Sequence, residues 1–254
     1  MDVSDADGVR TLTFDRPESL NAFTPAAATE LADALAETDP TELDAVVMTG
    51  EGKAFSAGGD VEAMAEREED VRAAYERGRD TLVRVVEEVV TAPVPVVAKV
   101  NGDAVGAGMA LAAAADFAYA GESARFGALF INVGLIPDMG GTFLLPQLIG
   151  IRKTKELAFT GDLISATEAA ELGVVNETVP DDELDDAVAD ILEKLAAKPT
   201  RTIGIAKQAL RENAGRGWRE ALDYEVLLQS QAYDLPAHEE GVTAFLEDRE
   251  PEFE

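Results

Sequence analysis

Residues 94–120 read VPVVAKVNGDAVGAGMALAAAADFAYA, and the order of character within them sets the fold class. Val94 to Val100 is an apolar, β-branched run that fits a buried strand. Asn101-Gly102 is a turn pair, and the stretch from Ala107, AGMALAAAA, is built from strong helix formers. Phe117-Ala-Tyr-Ala120 returns to strand character. Strand, glycine-containing turn, helix and strand again is the order of an α/β architecture.

The same order occurs upstream. Ala45 to Thr49 (AVVMT) reads as a short buried strand ended by Gly50, and Lys53-Ala-Phe-Ser-Ala-Gly-Gly-Asp60 is a second glycine-containing turn ahead of a helix. An amphipathic helix is expected from about Asp70 to Val90. Val9 to Phe14 fits an exposed strand, and Thr24-Pro25 supplies a cap and a first-turn proline for a helix carrying Leu31 and Leu35. Downstream, Ser165-Ala-Thr-Glu168 is a capping box and Gly173 a helix-ending glycine. From Pro199 the pattern is all helical, with one stripe of Trp218, Leu222 and Val226 and another of Val242, Phe245 and Leu246. These boundaries divide the chain into a βα core, residues 1–198, and a helical C-terminal region, residues 199–254. The apolar stripes of that region exceed what a small module buries, so they are expected to pack on a partner subunit.

The 254 residues are 46% hydrophobic and 28% charged, which suits a chain folding around a substantial core. Fifty Asp and Glu face twenty-one Lys and Arg, a formal charge of -29. That surface repels phosphate backbones and anionic headgroups, so neither nucleic acid nor membrane is an expected partner. The acids are scattered, and lysines are few. A halophile's cytoplasm is the expected setting, because concentrated salt would screen the self-repulsion. There is no cysteine, hence no thiolate chemistry or Cys-ligated metal, and His238 is the single histidine. The N-terminus lacks a basic start and an apolar run, so a soluble cytoplasmic location is expected.

Nucleotide-binding readings of the glycine turns fail. Gly50-Glu-Gly52-Lys53 has no glycine five positions before Gly52 and has Ala54 where a P-loop needs Ser or Thr; Gly106-Ala-Gly108 has Leu111 where a dinucleotide fingerprint needs its third glycine. Two readings then stand. The turns either present backbone N–H groups at helix N-termini, converging on one oxygen, or are tight connections only. A third segment, Phe126 to Thr142, holds Asp138 between Pro137 and Met139, with apolar residues before it and a Gly-Gly turn after. Among such neighbours a carboxyl acquires a raised pKa suited to taking and returning a proton; equally, it fits a turn or a cap for the helix beginning near Gly141. His238 fits a solvated position at the start of the last helix. Ser56 has no partner base, Asp60 and Asp116 fit structural bonds at their turns, and Asp103 has no evident role.

Together these segments resemble the crotonase superfamily, the enoyl-CoA hydratase/isomerase family. Phe14-Asp-Arg-Pro-Glu-Ser-Leu-Asn-Ala22 is similar to its opening strand and turn. Ala54 to Asp60 is similar to its first oxyanion-hole loop, Asn101 to Gly108 to its second, and Phe126 to Thr142 to its substrate-flanking segment. Gly161 to Asn176 and the closing Glu240-Gly-Val-Thr-Ala-Phe-Leu246 continue the likeness across nearly the whole chain. The resemblance implies an α/β crotonase (ClpP-like) fold, a repeated ββα core with a C-terminal helical trimerisation region, and a homotrimer or dimer of trimers. It further implies an acyl-CoA thioester substrate and no metal or redox cofactor, coenzyme A being part of the substrate. By position, the backbone N–H groups of Gly59 and Ala107 would hold the thioester oxygen. Ala22, Ala57, Gly58, Gly59, Asp60 and Val61 would line the CoA path, with Gly106, Phe130 and Pro137 also at the substrate.

Two departures bear on the reaction. Typical hydratases of the family carry two glutamates; the matching positions here are Ala110 and Phe130, neither able to transfer a proton. Asp138 falls where some isomerases of the family, of the Δ3,Δ2-enoyl-CoA and oxepin-CoA types, keep a single catalytic carboxylate. Double-bond isomerisation is therefore the expected activity, ahead of hydration and of a noncatalytic acyl-CoA-binding trimer. Glu62 and Glu18 stand where lysines often serve CoA, which leaves Arg16, Lys53 and Lys207 as local cations, the last available to a neighbouring subunit.

Overall fold

The apolar runs lie side by side in one sheet of the computed structural model, which describes residues 1–253. Its strands are β1 (Asp2–Ala6), β2 (Val9–Phe14), β3 (Ala45–Gly50), β4 (Ala54–Ser56), β5 (Val96–Val100), β6 (Asp103–Val105), β7 (Phe117–Gly121), β8 (Arg125–Gly127), β9 (Ile164–Ser165) and β10 (Glu177–Val179). Six of them form one sheet in the order β1-β2-β3-β5-β7-β10, and β4-β6-β8-β9 form a second. The β1–β2 hairpin and the β8–β9 pair are antiparallel, and every other pair is parallel.

A ββα unit recurs three times. In β3–β4, β5–β6 and β7–β8 the first strand joins the large sheet and the second the small one, with helix following. This explains why β3 and β5 read as largely apolar runs, with Lys99 the one charge among them: both faces of the large sheet are covered. On one face Leu184, Val188 and Leu195 of helix Leu184–Ala196 pack on Val47 and Val97; on the other lies the main core, with Leu31, Met48, Val85 and Leu111. Every residue of helix Ala107–Ala114 is buried, which the small alanine and glycine side chains permit.

Two expected boundaries shift. The strand begins at Val96, since Pro95 lacks the ladder N–H. The expected helix over Asp70–Val90 is capped by Asp70 but divides into Val71–Gly78, a π-helical turn at Arg79–Val83, and Arg84–Thr91. Val71–Gly78 buries no residue and ends in a glycine, so packing does not hold one continuous register there.

From Thr200 the chain is helical: Thr200–Asn213, Trp218–Tyr233 and Pro236–Glu247. Trp218, Leu222, Val226, Phe245 and Leu246 all remain exposed on the chain. Among the described residues no helix is long and apolar enough to cross a membrane.

Lys207 ties this region to the core and is thereby withdrawn from the role of a CoA cation. Its ammonium donates to Asp116 Oδ2 at 2.6 Å and to the carbonyl oxygens of Val89 at 2.9 Å and Val94 at 3.3 Å, which occupies its three protons. Asp116 also accepts from the N–H of Val96. Burial pushes the Lys207 ammonium down and the Asp116 carboxyl up, each partly offset by the other. Lys207→Met leaves that carboxylate without its cation, and we expect urea denaturation to show a loss of about 3 kcal/mol, the low end for a pair still in partial contact with water.

Candidate active site

Three loops converge on the edge between the two sheets, held by two asparagines. Asn21, buried and in the left-handed region (φ 57), donates to the carbonyl oxygens of Glu51 and Ala54 and accepts the N–H of Arg16. Asn101 donates to the carbonyls of Gly50 and Gly52 and accepts the N–H of Gly50. Phe14 stacks edge-on against Phe23 and Phe55, with ring centroids 5.2 and 5.4 Å away, and fills the space beneath.

Glycine lets the turn after β4 touch the turn after β6. At Gly58 (φ +88) a Cβ would stand 2.8 Å from the Val105 carbonyl oxygen and 3.1 Å from the Ala107 nitrogen; at Gly108 a Cβ would collide with the Ser56 carbonyl. The neighbouring polar groups are consumed. Gly58 N–H donates to Ser56 Oγ, Asp60 N–H to the Phe23 carbonyl, and Gly106 N–H to the Gly127 carbonyl. Ser56 Oγ itself donates to the Asn21 carbonyl, which removes it from nucleophilic chemistry.

The N–H groups of Gly59 and Ala107, by contrast, have no acceptor among the described residues, and both residues line one cavity of about 570 Å³. Two unpaired amides from separate loops at one concave site form the donor arrangement that suits a developing oxyanion. Ala107 opens its helix as the spacing implies. Gly59 does not: it precedes a short helix, Val61–Ala65, capped by Asp60.

Asp138 lines the same cavity. It does not cap the following helix, Gly141–Thr160, which starts after Gly140 without any side-chain cap. Met139 (φ 47) and Gly140 (φ 81) take left-handed conformations in succession and turn the chain beneath it. A methionine held there is a local strain of about 1–3 kcal/mol that the surrounding packing must sustain. The Asp138 carboxyl opens to the cavity, and no cation or hydroxyl bonds it among the described residues. The packed atoms around it deprive it of bulk solvation and push its pKa above the usual carboxylate value, with its own backbone N–H acting in the opposite sense.

Of the residues expected at the substrate, Ala57, Gly59, Val61, Gly106, Ala107, Phe130 and Asp138 share this cavity, while Ala22, Gly58, Asp60, Pro137 and Lys207 do not line it. Ala22 faces a separate, smaller cavity with Met1 and Arg16. Asp60 is occupied: its carboxylate accepts the N–H of Ala63, which chiefly holds its pKa down, and pairs with Arg16 at 3.0 Å. Arg16 is thereby taken too. Ala110 is buried, with its Cβ near Gly141 below the Asp138 turn. Asp103, unexplained by sequence, forms a forked pair with Arg125 on the adjacent strand. The cavity's cations are Arg67, Arg77 and Arg79, none of them singled out from the sequence; Arg77 and Arg79 fall within the helix expected from Asp70 to Val90, and Arg67 precedes it. The available signal was an arginine-bearing stretch before Leu82 in a chain so short of bases.

The sequence profile described as enoyl-CoA hydratase/isomerase matches residues 4–254. The chain is 36% identical over 251 residues to the 1,2-epoxyphenylacetyl-CoA isomerase of Escherichia coli strain K12, covering 97% of this chain and 95% of that one. It is 34% identical over 255 residues to the trans-2-decenoyl-[acyl-carrier-protein] isomerase of Streptococcus mutans, covering 97% and 94%. The crystal structure of an enoyl-CoA hydratase from Mycobacterium smegmatis superposes with a TM-score of 0.92 at 33% identity, covering 99% of this chain and 97% of that one. Isomerases and hydratases are thus both among the similar proteins.

Burial that raises the Asp138 pKa makes the native state hold that proton more tightly than the unfolded chain. The stabilisation is complete below the unfolded pKa and is lost as pH rises through the native one. Asp138→Asn removes the loss, so its melting temperature is expected to exceed that of the wild type at pH 7. Thermal melts should show the gap closing below about pH 4, the ordinary aspartate range.

Proposed function

The chain belongs to the enoyl-CoA hydratase/isomerase family, and within it we propose that this protein shifts the double bond of an enoyl-CoA, with Asp138 carrying the proton. The observation that carries this reading is that Asp138 is the one carboxylate lining the cavity among the described residues, beside the two unpaired amides. The Asp138 carboxylate removes a proton from C2 of a 3-enoyl thioester. The C2–H bonding pair moves toward the carbonyl, and the resulting dienolate oxygen lies against the N–H groups of Gly59 and Ala107. The same carboxyl then returns the proton at C4, leaving the double bond between C2 and C3 with no net gain or loss of atoms.

Donors fixed in place stabilise the charge that develops in the transition state more than the neutral thioester. Phe130 and the buried Ala110 supply no second acid–base group to hold and split a water, and the apolar walls of Leu129, Val133, Leu135 and Met139 protect the intermediate. Hydration is the second reading, supported by the likeness to solved hydratases. The exposed apolar stripes of the C-terminal helices support self-association into a trimer.

Incubation with a 3-enoyl-CoA and, separately, a 2-enoyl-CoA in molar potassium chloride, followed by NMR, separates the readings. Double-bond migration is expected; a 3-hydroxyacyl product supports hydration instead, and saturable binding without turnover a noncatalytic protein. Asp138→Asn should lower kcat by roughly 10²–10⁴-fold, the usual contribution of a positioned acid–base group. Because the base acts deprotonated and its pKa is raised, kcat/KM should rise with pH along a limb displaced above the ordinary range of about 4. Sedimentation equilibrium should give three chain masses, or six for a dimer of trimers, and an unchanging single-chain mass overturns both.

A further inference from the structure

The segment from Val61 to Asp80 carries seven carboxylates and four arginines, and the fold sorts them. Three of the arginines, Arg67, Arg77 and Arg79, line the cavity, and none of the segment's seven carboxylates does. Arg77 is neutralised by a forked pair with Glu69. Arg67 and Arg79 have no carboxylate partner among the described residues, although nine of the fourteen arginines in this acidic chain do. Tyr75 lines the cavity between them in sequence. A guanidinium left unpaired in a chain of formal charge -29, beside a cavity with mostly apolar walls and a single carboxylate, is suited to an anion brought by the ligand.

We infer that Arg67 and Arg79 receive a carboxylate at the far end of the acyl group, so that the preferred substrates are thioesters of carboxylate-ended acyl chains. This rests on the acyl-thioester reading of the site. With the thioester oxygen at Gly59 and Ala107 and the reacting carbons at Asp138, the acyl chain remains inside the cavity. The nucleotide phosphates of a CoA thioester hang from the long pantetheine arm, remote from the thioester carbonyl, whereas the acyl chain extends directly from the reacting carbons along the cavity wall that Arg67 and Arg79 share with Asp138. Arg67 is half-buried and Arg79 exposed, which puts both at the cavity's rim, and an acyl carboxylate is the anion that the acyl chain itself can carry to them. The forked pair of Arg77 with Glu69 adds no net charge and braces the segment that presents the other two.

The test uses calorimetric binding of two unreactive thioethers of CoA, one bearing a carboxylate-ended alkyl chain and the other a methyl-ended chain of equal length. Neither requires turnover, so the result is independent of whether the enzyme isomerises or hydrates. Wild-type protein should bind the carboxylate-ended thioether at least roughly tenfold more tightly. The double variant Arg67→Ala/Arg79→Ala should lose that preference while binding the methyl-ended thioether within about twofold of wild type, as expected when charge-assisted bonds to one group are removed. Neither guanidinium bonds to the rest of the described chain, so an unchanged thermal melt is the folding control, and Arg67→Lys/Arg79→Lys should keep part of the preference. Equal losses for both thioethers assign the arginines to the CoA phosphates and overturn the inference, as does equal binding of the two by wild type. Binding of neither overturns the acyl-CoA reading and the inference with it, whereas failure of the isomerase alone leaves the preference intact.

Discussion

The candidate site depends on the approach of two backbone loops to within a distance that side chains forbid. Gly58 faces the Val105 carbonyl and the Ala107 nitrogen, and Gly108 faces the Ser56 carbonyl. Any Cβ at these points separates the turn after β4 from the turn after β6. Their contact is what brings the unpaired amides of Gly59 and Ala107 to one cavity, and it is sustained from outside by Asn21 and Asn101, which bond three loops through main-chain groups. Backbone donors held in this way need no reorganisation as charge develops, which is the main electrostatic advantage a preorganised site has over water.

Charge is distributed by position. The acid excess lies on the outside, and the cavity inverts it, with three arginines and a single carboxylate along its lining. Asp138 is the exception within that lining. Its departure from ordinary aspartate behaviour has a plain cause, the loss of bulk water without a compensating cation. The strained Met139 and the left-handed Gly140 turn the chain so that this carboxyl opens to the cavity and leaves the adjacent helix uncapped.

The C-terminal helices are attached to the core through a group that sequence reading assigned to ligand binding. Lys207 satisfies the Val89 carbonyl in helix Arg84–Thr91, the Val94 carbonyl in the connection to β5, and the carboxylate of Asp116 just before β7. One ammonium therefore joins three elements, and the apolar faces that its helical region leaves exposed are free for contact with other chains.

Sequence alone determined the alternation of strand and helix, the two glycine turns, the capping of the helices at Thr24 and Ser165, and Asp138 as a candidate acid–base group, while the short strands β4 and β6 lie inside the stretches that read as turns. Those features are local: hydrophobic period, glycine, and cap residues act over a few positions, so they are legible along the chain. Tertiary structure decided which charges are consumed and which remain free. Arg16 and Lys207 look available in sequence and are bound to partners forty or more positions away, Asp60 and Asp116. Arg67 and Arg79 do not stand out in sequence, and the fold sets them, half-buried and exposed respectively, along the cavity lining. Asp103, which had no evident role, finds Arg125 across a strand pair. An ion pair depends on distance in space, which the spacing of residues along the chain does not record, and only the fold supplied it.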